Sequence, residues 1–278
     1  MWGREFWQGL AGSAQTPRKS PQRTPPPLWY PPWKNRITAV AFDERGFSSR
    51  EAFVDVESEQ TAKAKPDLYV LAVGVSRYPK LRPDQQLQFA DRDTTHLINA
   101  LKGQEGRLFA HVYGNAMVNE QMTPSAFLER LDALTAVDKG DLVVISLSGH
   151  GVQSGDGTFY FLTPQGTLQN RDTGGVSWSL LSERLARIPG RVILLLDACR
   201  SGGMVNETVA PNDDLARGFF TGRHNGVMVL SASKGRQSSR ESPDLGGGAG
   251  LFTFALTESL GAQAGTADTN HNGVAASG

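Results

Sequence analysis

Two residues that could act together in nucleophilic catalysis lie at the ends of apolar segments in this 278-residue chain. Cys199, the only cysteine, follows the segment "RVILLLDA", and His150 follows "DLVVISLSG" 49 residues earlier. Cysteine attacks as a thiolate, and a neighbouring imidazole can stabilise that anion and supply a proton to a leaving amine. The pair therefore predicts hydrolysis of an amide bond, provided that the fold brings the two residues together.

Taken singly, a cysteine packed as a small hydrophobe and a hydrogen-bonded loop histidine are the ordinary alternatives. Their positions favour a catalytic role. Val192–Leu196 is typical of a strand buried on both faces of a parallel sheet, and Ser201–Gly203 opens a loop just beyond Cys199. Binding crevices of open α/β sheets form at the carboxyl ends of the strands, where both residues are expected.

Glycines flank the histidine on both sides. Gly149 and Gly151 would let the backbone pass close to a substrate, since neither carries a side chain. A backbone N–H beside the histidine is suited to donate a hydrogen bond to a developing oxyanion. We therefore predict that the N–H groups of Gly151 and Cys199 form the oxyanion contacts.

The elements that must position these residues alternate between strand and helix. The segments that read as strands are "DLYVLAVGVSRY", "RLFAHVYG", "DLVVISLSGHG", the short hairpin piece "GTFYFLTP", "RVILLLDACRSG" and "GVMVLSAS". The segments that read as amphipathic helices are "LQFADRDTTHLINALKG", "TPSAFLERLDALTAV", "SWSLLSERLARI" and "GLFTFALTESL". This alternation predicts an α/β fold with a mostly parallel central sheet and helices on both faces.

Two further regions precede this domain, which we predict to span residues 67–278. Residues 1–33 form a proline-rich leader in which "TPRKSPQRTPPPLWYPPW" favours an extended, disordered chain. Residues 34–60 read as a β-hairpin about the turn Asp43–Gly46. A lone hairpin is marginally stable, so we interpret it as the remnant of a β-sandwich whose earlier strands are missing.

Composition restricts the partners. Lysine plus arginine and aspartate plus glutamate number 28 each, so no net charge favours nucleic acid or a membrane surface. The sequence has neither an apolar run of about 18 residues nor a signal-peptide core, and a single cysteine suits a reducing compartment. These features favour a cytoplasmic protein without a nucleic-acid or membrane partner, and they leave its oligomeric state open.

Two motifs carry a resemblance to a known family. Ser148–Gly151 reads Ser-Gly-His-Gly and Asp197–Gly202 reads Asp-x-Cys-x-Ser-Gly, in an order and at an interval similar to those of caspase-like cysteine peptidases. The resemblance lies with the bacterial branch near metacaspases and paracaspases and extends from Leu68 to Gly273. It implies a caspase-like three-layer sandwich, with His150 as general base and acid and Cys199 as nucleophile.

The resemblance also implies the substrate. Asp93, Ser148 and Asp197 match the polar residues of the metacaspase specificity pocket. Asp91 matches the position of the first acid equally well. Paired carboxylates bind a guanidinium through charge-assisted hydrogen bonds and repel an acidic side chain, so cleavage after Arg or Lys is expected. The alternatives are cleavage after Asp and a non-catalytic signalling module with the same fold.

No cofactor is required for this chemistry, and no metal ligands are assigned. His96 and His111 have no partner at metal-binding spacing, and Arg200 is interpreted as structural or solvated. The segment Asp268–Gly273 copies the opening of a calcium loop, but the chain ends, as if truncated, before the twelfth position that would supply a glutamate. Calcium is a candidate activator only through the resemblance to metacaspases.

Overall fold

The computed structural model describes residues 33–39, 50, 52–58, 64–156, 158–199, 227–232 and 241–261. By its contacts, the chain divides into two compact units. The first, Gln15–Lys65, contains strands β1 (Trp33–Ala39) and β2 (Ala52–Ser58), and every later element lies in the second, which includes Pro66–Gly278.

Strands β1 and β2 form an antiparallel pair in which Ile37 lies opposite Val54 and Thr38 lies opposite Phe53. The leader up to residue 32 and the predicted turn at Asp43–Gly46 lie outside the described residues. The interpretation of this hairpin as the end of a larger β-sandwich stays a prediction.

The second unit alternates strands and helices in the described parts of the chain. Its strands are β3 (Leu68–Gly74), β4 (Val112–Val118), β5 (Leu142–Gln153), β6 (Phe159–Leu162), β7 (Gly175–Ser177), β8 (Arg191–Cys199), β9 (Val227–Ser231), β10 (Glu241–Ser242) and β11 (Ala249–Gly250). Its helices are α1 (Ala90–Lys102), α2 (Pro124–Ala133), α3 (Arg171–Gly174), α4 (Trp178–Leu185) and α5 (Leu251–Leu260). Among them, none combines the length and apolar character needed to cross a membrane.

Strand order puts β5 at the centre of the sheet. The five strands β4, β3, β5, β8 and β9 are neighbours in that order, and every neighbouring pair is parallel. The last residues of β5 extend further and pair antiparallel with β6, which pairs antiparallel with β7. This arrangement confirms the predicted α/β fold with a mostly parallel sheet.

Helices cover both faces of the sheet, and β3 shows why. Its successive side chains are apolar and point alternately to one face and to the other. Leu68, Val70 and Ala72 belong to a buried cluster with residues of α1 and α5. Leu71 and Val73 belong to a second buried cluster with residues of α2 and α4. Both clusters exclude water from side chains that each gain about 1.5–3 kcal/mol on burial, so the three layers are held together by apolar contact.

Two elements begin several residues after their predicted starts. Strand β4 begins at Val112, because the N–H groups of Arg107 and Leu108 both donate to the carbonyl oxygen of Gln104 in a turn. Helix α1 begins at Ala90, because the N–H of Leu87 donates to the carbonyl of Ser76 instead of entering the helix. Strand β8 reaches Cys199 as predicted, because Asp197, Ala198 and Cys199 stay in register with β5.

Candidate active site

The two motifs lie side by side at the carboxyl ends of β5 and β8. In the parallel register His150 is the partner of Cys199, and Ser148 is the partner of Asp197. Neighbouring strands in a sheet are about 4.8 Å apart, so the backbones of His150 and Cys199 are adjacent. Ser148, His150 and Asp197 are all buried, and His150 is only 1% exposed.

A backbone carbonyl determines the tautomer of His150. The Nε2 atom lies 2.6 Å from the carbonyl oxygen of Gln85. Because a carbonyl oxygen can only accept, Nε2 must carry the hydrogen, and Nδ1 is then the basic nitrogen of the neutral ring. The imidazole also packs on Tyr78 with ring centroids 4.5 Å apart, and the N–H of His150 donates to the hydroxyl of Tyr78 at 2.8 Å. The ring is therefore fixed in orientation and tautomer.

The loop that carries this carbonyl is held by the side chain of Gln86. Its Oε1 accepts a hydrogen bond from the N–H of Tyr78 at 2.7 Å. Its Nε2 lies within hydrogen-bond distance of the carbonyls of Tyr78, Leu81 and Arg82, at 2.9, 3.1 and 3.2 Å. Gln85 and Gln86 were not predicted as site residues, and Gln85 acts through a backbone group that any residue type would supply.

Two buried aspartates converge beside the strand ends. Asp93, in the first turn of α1, accepts hydrogen bonds from the N–H of Gly250 at 3.0 Å and from the hydroxyl of Ser148 at 3.4 Å. A Cβ placed on Gly250 would lie 2.8 Å from Oδ2 of Asp93 and 3.0 Å from Oδ2 of Asp197. These two oxygens are therefore within about 6 Å of each other, a separation at which carboxylates strongly influence one another.

The environment of Asp93 disfavours its charged form. Burial raises its pKa to about 7, and the charges of Asp197 and Glu241 add to this rise. The hydrogen bonds from Gly250 and Ser148 oppose the rise. A cation bound between Asp93 and Asp197 would offset the repulsion between their negative charges. This pair of carboxyl groups can therefore bind a proton or, in its place, a positively charged group.

Asp91 occupies a different place from Asp93. Its carboxylate accepts hydrogen bonds from the hydroxyl of Ser76 at 2.9 Å and from the side-chain amide of Asn119 at 3.0 Å. Asn119 has a positive φ of 45° and its amide oxygen accepts the N–H groups of Ser76 and Arg77. Asp91 thus connects the start of α1 to the ends of β3 and β4, whereas Asp93 faces Asp197.

Packing explains the glycines beside His150. A Cβ on Gly149 would lie 2.8 Å from both the Tyr78 hydroxyl and the Phe161 ring, and one on Gly151 would overlap the Phe159 ring. Gly149 and Gly151 are therefore required by neighbours in the core, a reason different from the predicted access for substrate. Gly151 lies opposite Phe161 where β5 pairs with β6, and its oxyanion role stays a prediction.

The other residues that the sequence analysis considered add no group to this site. The N–H of His111 donates to Asp67 at 3.1 Å, and its ring lies 6.1 Å from that of Tyr113. Within the described residues, no group of three His, Cys, Asp or Glu side chains could hold a metal ion. Arg200 and Asp268–Gly273 lie outside the described residues.

Asp93→Asn is expected to stabilise the protein in a pH-dependent way. The pKa of Asp93 is raised from 3.8 to about 7 in the folded state, so the stability gained from its protonated form is present below about pH 4 and is lost as the pH rises to about 7. The neutral asparagine avoids this loss. We expect a gain of roughly 2–4 kcal/mol at about pH 8 that shrinks as the pH is lowered. Urea unfolding at several pH values measures it, and a pH-independent difference would contradict the buried-carboxyl interpretation.

Comparison with known proteins identifies the family. A family model described as "Caspase domain", for a peptidase family, matches residues 68–275. No curated protein matches the sequence. Among solved structures, a crystal structure of a protein from Geobacter sulfurreducens is 19% identical and aligns with a TM-score of 0.47, covering 70% of this chain and 82% of that chain. The family match includes β3 to α5 and with them the whole site, so this chain belongs to the caspase-domain family of cysteine peptidases.

Proposed function

We propose that this protein is a cysteine endopeptidase that cleaves peptide bonds after Arg or Lys. The observation that carries the proposal is the convergence of two buried carboxyl groups, Asp93 and Asp197, beside the strand ends that bear His150 and Cys199. Family membership supports action on proteins or peptides, and the acidic pair supports the preference for a basic side chain.

In the proposed reaction, Nδ1 of His150 accepts the proton of the Cys199 thiol, and the thiolate attacks the scissile carbonyl carbon. The oxyanion that forms receives hydrogen bonds from the N–H groups of Gly151 and Cys199. Collapse of this intermediate breaks the C–N bond, and the imidazolium of His150 protonates the leaving amine. Water then attacks the thioester carbon while His150 accepts its proton. The C–S bond breaks, His150 returns the proton to the sulfur, and the carboxylic acid product leaves.

The carbonyl of Gln85 supports this cycle without exchanging a proton. It accepts the Nε2–H in every protonation state of His150, so Nδ1 stays the nitrogen that gains and loses the proton. It also stabilises the imidazolium, because a hydrogen bond from a charged donor is stronger than one from a neutral donor. Gln85 is therefore proposed as a positioning residue for the histidine.

The basic side chain of the substrate would bind between Asp93 and Asp197. A guanidinium can donate to both carboxylates and displace the proton that Asp93 otherwise holds near neutral pH. Ser148 completes the polar wall by its hydrogen bond to Asp93. An acidic side chain would be repelled by the Asp197 carboxylate and would add a further negative charge to a buried space, so the same geometry disfavours cleavage after Asp.

Fluorogenic peptides that differ only in the residue before the cleaved bond test this proposal. Hydrolysis after Arg or Lys, blocked by iodoacetamide, is the expected result. Hydrolysis after Asp would overturn the specificity, and no hydrolysis of any peptide would favour the non-catalytic alternative. Each assay is run with and without calcium, because activation by calcium is still a prediction.

Gly250→Ala is expected to raise KM for arginine peptides at least tenfold, with little change in thiol alkylation. The new methyl group would lie within 3.0 Å of both carboxylate oxygens, in the space proposed for the guanidinium. The backbone of Gly250, with φ −68° and ψ 141°, accepts alanine without strain. Gly140→Ala is the matched control, because a Cβ there meets no atom within 4 Å. An unchanged KM in Gly250→Ala would argue against this pocket.

A further inference from the structure

The segment that carries Gly250 is anchored to the start of helix α1. Strands β10 and β11 pair antiparallel, with Glu241 opposite Gly250. The turn between them contains Gly246, Gly247 and Gly248, all with positive φ, of 58°, 86° and 113°. Only glycine readily adopts three consecutive positive φ angles. The turn reverses the chain direction, so both ends of the segment lie beside α1.

The first anchor is the carboxylate of Glu241. Its Oε2 accepts a hydrogen bond from the N–H of Gln88 at 2.9 Å, and its Oε1 accepts one from the N–H of Phe89 at 3.2 Å. Phe89 is the N-cap residue of α1 and has no polar side chain with which to cap the helix. A carboxylate at this position satisfies two backbone donors and lies at the positive end of the helix dipole.

Two more hydrogen bonds join the same segment to the first turn of α1. The guanidinium of Arg92 donates to the carbonyl of Gly247 at 3.3 Å. The N–H of Gly250 donates to Oδ1 of Asp93 at 3.0 Å. The segment therefore begins on the N-cap of the helix and ends on the pocket carboxylate itself, and both of these contacts are made by residues far from α1 in sequence.

We propose that Glu241 is a positioning residue for the basic-side-chain pocket. By holding the start of α1 against the segment that ends at Gly250, it fixes the distance and orientation of Asp93 relative to Asp197. The inference rests on the proposed function, because it assigns Glu241 to the pocket in which the proposed peptidase would bind a basic side chain. It adds a residue with no predicted role, 148 positions after Asp93 in the sequence.

Glu241 also acts on the pocket through its charge. Among the described residues, the charges of Asp197 from β8 and of Glu241 itself both raise the pKa of Asp93 above its usual value. Removal of the Glu241 charge should therefore lower the pKa of Asp93 and extend binding of basic substrates to lower pH. A residue that only stabilised the fold would not produce this change.

Two variants separate the hydrogen bonds from the charge. Glu241→Gln keeps one acceptor oxygen and the shape of the side chain but loses the charge, whereas Glu241→Ala loses both acceptors. The control is Glu129→Gln, because Glu129 is an exposed residue of α2 on the opposite face of the sheet.

The measurement compares inactivation of each protein by an arginyl chloromethyl ketone and by neutral iodoacetamide. The wild type and Glu129→Gln should prefer the arginyl reagent. Glu241→Ala should reduce that preference at least tenfold and Glu241→Gln about threefold, with iodoacetamide rates unchanged. In Glu241→Gln the acidic limb of kcat/KM for an arginine peptide should also move to lower pH.

The outcomes distinguish the two proposals. If the wild type shows no preference for the arginyl reagent, the proposed specificity is wrong. If the wild type shows it and Glu241→Gln retains it in full with an unshifted pH profile, Glu241 is not a positioning residue and the proposed specificity stands. Equal losses with both reagents would also overturn the inference, since they would place the defect at the nucleophile. Should Glu241→Ala fail to fold, the result for Glu241→Gln decides.

Discussion

Cys199→Ala is expected to reduce peptide hydrolysis by a factor of at least about 10⁴, and His150→Ala by a similar factor, while the domain stays folded. The two residues are partners in the register of β5 and β8, and in the proposed reaction neither works without the other. Their effects should therefore be strongly non-additive, so the double variant should lose little more activity than either single variant. Hydrolysis of an arginine peptide by the purified variants measures this directly.

The control for this prediction is the folded state. His150 is buried against Tyr78 and Gln85, so its truncation removes packing and a hydrogen bond, and a loss of about 1–3 kcal/mol in stability is expected. Circular dichroism and thermal unfolding should still show a cooperative native state. Near-wild-type turnover by either folded variant would show that the catalytic pair has been assigned to the wrong residues.

The sheet could be predicted because its strands carry strong local patterns. β3, β5 and β8 each contain a run of predominantly apolar residues, and the amphipathic segments between them have helical spacing, so each element can be recognised from its own residues. Their mutual register could not be predicted. His150 lies opposite Cys199 because β5 and β8 begin together at Leu142 and Arg191 and continue for nine paired residues, a property of the assembled sheet.

The candidate site could be predicted only where the proposed role belongs to a side chain. His150 and Asp197 are recognisable by residue type, and the structure buries both. Gln85 contributes a carbonyl oxygen that every residue possesses, so its identity carries no signal. Glu241 contacts backbone N–H groups more than 150 residues earlier, at Gln88 and Phe89, and no local pattern reveals a cap from that distance.

The choice between Asp91 and Asp93 shows the same limit. The two residues are separated by about 200° around the helix, so only one of them can face the sheet edge at Asp197. Residues remote in sequence decide which one. Asp91 accepts hydrogen bonds from Ser76 and from Asn119, which has a positive φ. With Asp91 held in this way, Asp93 lies on the side of the helix where it accepts the N–H of Gly250.

Asp197→Asn is expected to lower kcat/KM for arginine peptides by about 10²–10³, chiefly through KM. The substitution preserves the size of the side chain at a buried position but removes one of the two charges proposed to bind the guanidinium. A charge-assisted hydrogen bond in a buried site is replaced by a weaker neutral one, which accounts for a loss of this order. The rate of Cys199 alkylation by iodoacetamide should change little, because that reagent carries no charge to be bound.

The comparison between substrates decides what Asp197 does. A loss confined to arginine and lysine peptides, with neutral peptides and iodoacetamide unaffected, is expected if the carboxylate binds substrate charge. Equal losses for charged and neutral substrates would instead assign Asp197 to activation of the nucleophile or to folding. The pH profile adds an independent check. Removal of the Asp197 charge lowers the pKa of Asp93, so the residual activity toward arginine peptides should persist to lower pH than in the wild type.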